Sequence, residues 1–563
     1  MSKNKVIPFI KKNAPANEGL QGATKEKINP YYPYFIKNQC LYKVPDKSGG
    51  DPISISRSVQ IVEIRQNVDT KEVSLVLEYE YQGNIARKEI TRDMLTRAKV
   101  MQLMAYGVDV ADHNVKDVLR FLNIQERTIA ITRTHNQTGF CFEGDKLVFK
   151  HATAIGEKSV YNGDFKLQPK GSFDQWLAII EEHVLGHIPL EFALILGLAA
   201  PVASLVGKAT GLEVLVVHIY GNSSQGKTTG LRLAVSPFGL PHISDGGLIR
   251  TWNCTLNALL GALRNNHGIP LAFDEASMTD ANFSKLIYMV TSGQDKERLN
   301  KDSQREKAAQ WSGLYLSSGE HALTAKTLQN IGIPMRLMEV GNIEWTKSAE
   351  HADAIKEGLL SHYGFAGPKF VEWLLEQGID EVMSCWKKWK QQFLDGMQEP
   401  DQFASRIADR MGILLATAEM AGQALSLNFN IKGVKTFLLK HAKEAGGNRD
   451  LGAKAYEYFM NTVVQMGKNF STDLCEVKPQ NEHWGKITHD ANRNWDEIYI
   501  LPNKFREIIK AGGFEDPSII LKIWKDRNLL NYEKSKLTRK KVLVKGHSQD
   551  VYVIKAVNNV ASD

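Results

Sequence analysis

The chain has 563 residues, 43% of them hydrophobic and 24% charged, and a formal net charge of +7. This length allows roughly three or four domains, and the mildly basic balance permits a nucleic-acid partner without requiring one. The five cysteines are scattered, with no Cys-x-x-Cys pair and no Cys/His cluster, which argues against a structural zinc site or a disulfide framework and fits a reducing cytoplasm.

The N-terminal part predicts a loose tail followed by an α+β domain. Residues 1–27 are polar and non-periodic, which is typical of a tail. In residues 28–165, the segments SVQIVEIRQ and EVSLVLEYEYQGNIARKEI alternate apolar and polar residues around a turn at Gln82–Asn84, and they predict strands. The runs TRDMLTRAKVMQLMAYG and NVKDVLRFLNIQ predict two helices. We find no catalytic constellation in this accessory domain.

A long apolar segment opens the central region, residues 172–345. Helices are predicted at about 173–206, and the stretch IPLEFALILGLAAPVASLV within them contains Glu191 and Pro201 and is barely long enough to span a bilayer. We therefore expect a buried helical hairpin here and no membrane association. The chain begins with a polar, basic stretch instead of a cleavable apolar core, which also favours the cytoplasm.

Short apolar runs separated by helical segments follow, at Val214–Tyr220, Ile269–Phe273 and Gly313–Ser318. Strands that alternate with helices predict a parallel sheet covered by helices on both faces. Residues 346–465 are richly helical. In residues 470–563, two helical segments and a basic hairpin centred near Gly546 indicate a winged-helix-like domain.

A phosphate-binding loop follows the first of these strands. The segment Gly221–Thr228 fits G-x-x-x-x-G-K-[ST], with a strand before it and a helix after it. Its glycines let backbone N–H groups curl around phosphates, the helix N-terminus adds positive potential, and Lys227 reaches the β and γ oxygens. The hydroxyl of Thr228 is expected on Mg²⁺. The expected nucleotide-binding residues are Gly221, Asn222, Ser223, Ser224, Gln225, Gly226, Lys227, Thr228 and Thr229.

The second strand ends in two adjacent carboxylates, Asp274 and Glu275. We expect Asp274 to hold Mg²⁺ through water and Glu275 to polarise the attacking water, although both residues could simply cap the next helix. A carboxylate that activates water favours a hydrolysing enzyme over a small-molecule kinase. A GTPase is also disfavoured, because Asn300-Lys301-Asp302-Ser303 lacks the final Asp of the N-K-x-D motif.

Further polar and basic residues are expected to complete this site. The third strand ends in Ser317 and Ser318, and either serine would suit a sensor-1 role that orients the lytic water. Arg336 follows a Gly-x-Pro turn and would act as an arginine finger toward a neighbouring protomer, the alternative being an ordinary surface ion pair. Arg406 and Arg410 lie four residues apart on one helix face, so either could reach back as sensor 2.

Two basic segments are candidates for DNA contacts. The segment TSGQDKERLNKDSQREKAAQW predicts a basic hairpin inserted before the sensor-1 strand, and such a hairpin would track a phosphate backbone in the pore of a ring. The alternative is a charged exposed loop. The candidate residues are Lys296, Arg298, Lys301, Arg305 and Lys307 in the hairpin and Arg539, Lys540 and Lys541 on the wing.

The order of these motifs resembles that of the AAA+ helicase clade. The segments GNSSQGKTT, TWNCTLNALLGAL, PLAFDE, SGQDKERLNKD, YLSSGE and RIADRMGILLATAEMAG resemble more closely the MCM-like replicative helicases carried by staphylococcal cassette chromosomes and related mobile islands. This bacterial family was long catalogued as a domain of unknown function. The resemblance covers roughly residues 30–470.

This resemblance implies a multi-domain α/β protein with an AAA+ core at residues 172–345 and a helical lid at 346–465. It implies ATP and Mg²⁺ as cofactors, a hexameric ring, and 3′→5′ unwinding of single-stranded and forked DNA, alongside other replication proteins of the element. The roles carried over are Walker A for Lys227 and Thr228, Walker B for Asp274 and Glu275, sensor 1 for Ser318, the finger for Arg336, and the basic pair of the lid for Arg406 and Arg410.

Two other classes of function compete with a helicase. In the first, nucleotide binding switches a DNA-binding replication initiator or loader that translocates little. In the second, the chain is a protein-remodelling ATPase, but we find no aromatic pore loop after the Asp-Glu strand. Glu275 and the basic hairpin favour the helicase over both.

Overall fold

In the computed structural model, the chain divides into two compact units between Arg133 and Thr134. The structure describes residues 29–46, 50–212, 214–278, 283–299, 305–306, 308–326, 333, 336–398, 403–474, 482–533, 536–544 and 547–557.

The first unit is an α+β domain. Its elements are β1 (Tyr34–Lys37), β2 (Cys40–Lys43), β3 (Ile53–Arg57), β4 (Val59–Asn67), β5 (Val73–Tyr81), β6 (Asn84–Thr91), α1 (Arg97–Val100) and α2 (Val115–Glu126). The strands β4, β5 and β6 pair antiparallel in sequence order. The turn at Gln82–Gly83 has φ values of 50° and 79°, the left-handed conformation that two-residue hairpin turns require.

One predicted helix of this unit is wrong. The segment TRDMLTRAKVMQLMAYG forms two short 3₁₀ turns on either side of the four-residue α1. Its buried residues include Leu95, Val100 and Leu103, and Thr96 between the first two is extended, so one continuous helix cannot form. Packing onto the core therefore overrides local helix propensity here.

The second unit contains the central sheet. Its elements up to the sheet's last strand are β8 (Thr138–Glu143), β9 (Lys146–Lys150), β10 (Val160–Tyr161), α3 (Phe173–His183), α4 (Ile188–Thr210), β11 (Val214–Tyr220), α5 (Lys227–Val235), β12 (Ile249–Thr251), α6 (Leu256–Leu263), β13 (Asn266–His267), β14 (Leu271–Asp274), α7 (Phe283–Thr291), β15 (Arg298–Leu299), β16 (Arg305–Glu306), β17 (Gly313–Gly319) and β18 (Leu337–Gly341). Strand β7 (Ile131–His135) spans the division between the units.

The central sheet has the strand order β12-β14-β17-β11-β18, and every neighbouring pair in it is parallel. The predicted parallel sheet is therefore confirmed. Parallel strands end at a common edge, so the residues that follow β11, β14 and β17 are brought together there.

Helix α4 forms the centre of the hydrophobic core. It packs against α5, α11 (Ala404–Leu425) and β17. Among the described residues, it is the one helix long and apolar enough to cross a membrane, and its apolar window is wholly buried inside the protein. The expected helical hairpin is wrong, because α4 continues through Pro201 as a single helix. A helix that is apolar all round is suited to such a buried position.

The chain continues into helices and then a second sheet. The helices are α8 (Ala349–Ser361), α9 (Ala366–Gln377), α10 (Ile379–Leu394), α11, α12 (Ile431–Arg449) and α13 (Leu451–Gln465). The C-terminal elements are β19 (Phe470–Thr472), β20 (Gly485–His489), β21 (Trp495–Ile500), α14 (Pro502–Ala511), α15 (Pro517–Asp526), β22 (Leu530–Asn531), β23 (Arg539–Val544) and β24 (His547–Lys555). The predicted basic hairpin is the antiparallel pair β23–β24.

Helix α13 packs into the C-terminal core, although the sequence analysis places it in the lid. Its side chains Tyr456, Phe459 and Val463 are buried in the same cluster as Trp524 of α15 and Phe505 of α14. The expected boundary at residues 465–470 therefore cuts through one hydrophobic core.

Close packing between α4 and α5 generates a prediction. A Cβ on Gly197 would lie 1.6 Å from the carbonyl oxygen of Ala234, whereas a Cβ on Gly261 of α6 would meet nothing within 4 Å. We expect Gly197→Ala to lower the thermal unfolding midpoint, since overpacking costs about 1–3 kcal/mol. Gly261→Ala, the matched control, should leave the midpoint unchanged or raise it, since alanine is favoured over glycine in helices by about 0.5–1 kcal/mol. Equal midpoints for the two variants would contradict this packing.

Candidate nucleotide site

The phosphate-binding loop connects β11 to α5 and curls back on the lysine that follows it. Gly221, Ser224 and Gly226 have φ values of 148°, 66° and 80°, so the loop depends on left-handed conformations. The Lys227 ammonium donates to the carbonyl oxygens of Gly221 at 2.8 Å and Asn222 at 2.6 Å. Burial lowers the pKa of Lys227. The two carbonyl oxygens thus hold the Lys227 ammonium in the loop, where phosphate oxygens could replace them as acceptors.

The Asp274 carboxylate lies at the centre of the site and is 4% exposed. The Thr228 hydroxyl donates to its Oδ2 atom at 3.0 Å, and the Ser318 hydroxyl donates to its Oδ1 atom. The backbone N–H of Glu275 lies 3.1 Å from the same Oδ1 atom and 3.3 Å from Ser318 Oγ. One carboxylate therefore joins the ends of β14 and β17 to the first turn of α5.

The two serines at the end of β17 face opposite sides of the sheet, as neighbouring strand residues do. Ser318 faces Asp274 and lines the cavity. Ser317 faces away and accepts a hydrogen bond from the Trp252 indole at 3.0 Å. The geometry thus favours Ser318 for contact with a nucleotide.

A cavity of about 660 Å³ lies above the phosphate-binding loop, which is within the size range of small-molecule sites. The expected residues that line it are Ser223, Ser224, Gly226, Lys227, Thr228, Thr229, Asp274, Glu275 and Ser318. Gly221 and Asn222 lie behind them as acceptors for Lys227, and the Gln225 carbonyl accepts from the Trp345 N–H at 2.8 Å.

The cavity also contains residues that the sequence analysis missed. These are Ser277, Gly319 and Glu320 at the strand ends and Thr346, Ser348, Ala349, Ala352 and Asp353 in and before α8. The negative charge of Glu320 acts in the opposite direction to burial, because it favours the charged form of Lys227 and so raises its pKa. Glu320 could have been predicted from its position two residues after Ser318, whereas the residues of α8 reach the site only through tertiary packing.

The oxygen donors at this site suit Mg²⁺. Magnesium is usually held by one or two carboxylates together with substrate phosphates, and the Thr228 hydroxyl and Asp274 carboxylate supply oxygen donors 3.0 Å apart. Among the residues that the structure describes, no group of three or more His, Cys, Asp or Glu side chains is arranged to hold a metal ion.

The three expected arginines do not line the described walls of this cavity. Arg336 immediately precedes β18, at the sheet edge opposite to the phosphate-binding loop, and its guanidinium lies 4.7 Å from the centre of the Tyr288 ring. Arg406 is exposed and Arg410 is half-buried, both on α11. Contacts of these arginines with a nucleotide remain predictions.

The predicted hairpin before β17 is present as the antiparallel pair β15–β16, which aligns Arg298 with Glu306 and Leu299 with Arg305. Lys296 is exposed at its base. Lys301 and Lys307 lie outside the described residues. The pairing provides a basic hairpin where the sequence analysis expects one, and its contact with DNA remains a prediction.

The three expected basic residues of β23 differ in exposure. Lys540 is exposed. Arg539 donates to the Asn531 side chain at 2.5 Å, and Lys541 donates to the Tyr499 hydroxyl at 3.1 Å. Lys540 is therefore the most accessible of the three for a phosphate contact.

The close approach of Gly226 to the linker before α8 generates a prediction. A Cβ on Gly226, at φ 80°, would lie 2.7 Å from Thr346 Oγ1, whereas Gly186, at φ 82°, has open space around it. We expect Gly226→Ala to weaken binding of a fluorescent ATP analogue by about tenfold or more, which corresponds to about 1.4 kcal/mol. Gly186→Ala carries the same backbone strain without the clash and should bind normally. Equal affinities would show that the loop tolerates a displaced Thr346.

Comparisons with known proteins agree with this architecture. Residues 37–311 match the model of a domain of unknown function, DUF927, and residues 450–559 match the Cch helix turn helix domain. No curated protein sequence matches the chain. The second match begins next to α13 and so includes the helix that packs into the C-terminal core.

Solved structures also match the chain, among them the following two. One, described as "SCCmec type IV Cch - active helicase", has a TM-score of 0.75 and 23% identity, and the alignment covers 94% of this chain and 98% of that one. The other is an apo form of the NrS-1 C-terminal region, and its alignment covers 88% of this chain and 96% of that one at 10% identity. Its TM-score of 0.27 is too low to indicate a shared fold. The family resemblance drawn from the sequence is confirmed: the chain carries a DUF927 domain and a Cch helix turn helix domain on the fold of Cch.

Proposed function

We propose that this chain is an ATP-dependent DNA helicase with an AAA+ core, a helical lid and a C-terminal winged-helix-like domain. The observation that carries this proposal is the hydrogen-bonded group of Thr228, Asp274 and Ser318 beside Glu275. It combines a phosphate-binding loop, oxygen donors for Mg²⁺ and a carboxylate for water activation in one cavity.

The roles of the residues follow from their positions. Lys227 would exchange its carbonyl partners for the β and γ oxygens of ATP, and Thr228 and Asp274 would hold Mg²⁺, which neutralises charge that develops on the phosphates. The Glu275 side chain is exposed to the cavity, where it can accept a proton from water. The Ser318 hydroxyl would orient that water or the Asp274 carboxylate.

Motion along DNA requires a contact with the strand, and the β15–β16 hairpin is our candidate for it. In a hexameric ring, basic hairpins of this kind would line the pore and follow the phosphate backbone of single-stranded DNA. We further propose 3′→5′ movement, forked DNA as the substrate, a cytoplasmic location, and a role in replicating a bacterial mobile element with other replication proteins. These finer points rest on the family resemblance and on the likeness to a structure described as an active helicase.

A second candidate function is a DNA-binding initiator or loader that ATP switches between states. The match to a helix turn helix domain favours it, because such domains place a helix in the major groove of duplex DNA. In this function, ATP would control assembly and the protein would translocate little.

Strand displacement on a forked duplex distinguishes the two functions. We expect the wild-type protein to separate the strands with Mg²⁺ and ATP, and single-stranded DNA to stimulate its hydrolysis. Glu275→Gln should bind ATP but hydrolyse it about 100-fold more slowly, the usual contribution of a general base. Lys227→Ala should lose nucleotide-dependent activity. Glu357→Gln, an exposed glutamate of α8, is the matched control and should behave as wild type. Hydrolysis without stimulation or strand separation would support the initiator instead.

The role of Arg336 in a neighbouring site can be tested by mixing variants. Arg336→Ala should bind ATP yet lose most hydrolysis, since an arginine finger contributes about 10³-fold or more. Mixed with Lys227→Ala protein, it should regain activity, because some interfaces then combine an intact lysine with an intact arginine. Mixing it with the double variant Lys227→Ala/Arg336→Ala restores no complete interface and serves as the control. Equal activity in both mixtures would contradict a shared site.

A further inference from the structure

His218 of β11 is a buried histidine to which the roles above assign nothing. Its ring is fully buried, and its Nδ1 atom lies 2.9 Å from Ser317 Oγ. Its Nε2 atom lies 3.0 Å from the carbonyl oxygen of His321. The ring therefore contacts the residue before and the residue after the segment Ser318–Glu320, whose members all line the cavity.

The chemistry of these contacts gives the neutral ring one arrangement of protons. A carbonyl oxygen can only accept, so Nε2 carries the proton and donates it to His321. Nδ1 is then an acceptor and receives the Ser317 hydroxyl proton. The Ser317 oxygen in turn accepts from the Trp252 indole N–H at 3.0 Å. A directional chain of hydrogen bonds thus runs from Trp252 through Ser317 and His218 to the turn at His321.

The same turn packs directly against the imidazole. A Cβ on Gly319 would lie 3.1 Å from His218 Cε1, so a glycine allows this close approach. Ser317 is also the cross-strand neighbour of His218 in the β11–β17 pairing. The His218 ring therefore contacts the end of β17 and the turn after it at three places. These are hydrogen bonds at Ser317 and His321 and a van der Waals contact at Gly319.

We propose that His218 is a positioning residue for ATP hydrolysis: it fixes the end of β17 so that Ser318 meets Asp274 and Glu320 faces Lys227. This inference rests on the proposed function. His218 itself does not line the cavity and acts only through the residues it contacts. Its removal should disturb the hydrolytic step more than nucleotide binding, because the phosphate-binding loop keeps its own hydrogen bonds to Lys227.

The chain offers a matched control in His135. This histidine is also fully buried, with Nδ1 2.9 Å from Ser159 Oγ and Nε2 2.7 Å from the carbonyl oxygen of His151. It therefore makes the same two kinds of contact as His218, but with residues that do not line the cavity. A loss that reflects only a damaged core should appear equally in variants of either histidine.

The experiment compares His218→Leu, His218→Gln, His135→Leu and His135→Gln in the full chain. It measures kcat and KM for ATP, the affinity for a fluorescent ATP analogue, and the thermal unfolding midpoint. We expect His218→Leu to lower kcat about tenfold or more, with analogue affinity changed by less than about twofold. His218→Gln places an amide N–H near the Nε2 position and should recover part of kcat. Both His135 variants should keep the wild-type kcat.

The outcomes separate this inference from the proposed function. A wild-type kcat in His218→Leu, or an equal loss of kcat in His135→Leu, would overturn the positioning role while leaving the helicase proposal intact. A wild-type protein that does not hydrolyse ATP would overturn the proposed function itself. If His218→Leu does not fold, Ser317→Ala decides the matter, because it removes the hydroxyl that contacts Nδ1 of His218, and a wild-type kcat in it would also overturn the inference.

Discussion

The buried carboxylate of Asp274 holds the parts of the candidate site together. A charged group that is 4% exposed must be hydrogen-bonded, because leaving it unpaired in the interior is costly. Here Thr228, Ser318 and the Glu275 N–H share that task. These groups come from α5, β17 and the residue after β14, so the carboxylate is satisfied only when the parallel strands are correctly ordered. The need to hydrogen-bond this carboxylate therefore favours the observed strand order, and that strand order brings its partners within hydrogen-bonding distance.

Helix α8 is joined to this centre through backbone and packing contacts of the segment that precedes it. The segment before α8 donates from Trp345 N–H to the Gln225 carbonyl, and Thr346 packs against Gly226. The fully buried Trp345 side chain packs beside Gly230 of α5 and Phe192 of α4. Ser348, which precedes α8, and Ala352 and Asp353 within it also line the cavity. The phosphate-binding loop and the start of α8 are therefore in direct contact.

Much of this architecture could be predicted because its signals are local. The β-branched run of β11, the glycines of the loop and the pair Asp274-Glu275 lie close together in sequence and each has a strong physical reason. Other features depend on tertiary packing. The continuity of α4 through Pro201, the broken helix around Thr96, and the membership of α13 in the C-terminal core have no local signature.

The residues of the candidate site also fall into those with a local sequence signal and those that depend on tertiary packing. Residue types alone did not distinguish Ser317 from Ser318, because the choice depends on which face of β17 meets Asp274. The residues of α8 were missed because they reach the cavity through tertiary packing from a segment without a motif, whereas Glu320 follows Ser318 by two residues and could have been predicted. The expected role of Arg336 involves a second copy of the chain, and contacts between copies have no local sequence signal.

An experimental structure of the protein with Mg²⁺ and a non-hydrolysable ATP analogue would show whether this site binds nucleotide as proposed. We expect the phosphates to occupy the cavity above Gly226, the Lys227 ammonium to leave the carbonyls of Gly221 and Asn222 for the β and γ oxygens, and Mg²⁺ to lie beside Thr228 and Asp274. An analogue bound elsewhere, or a Lys227 that keeps its carbonyl partners in the bound state, would contradict this expectation.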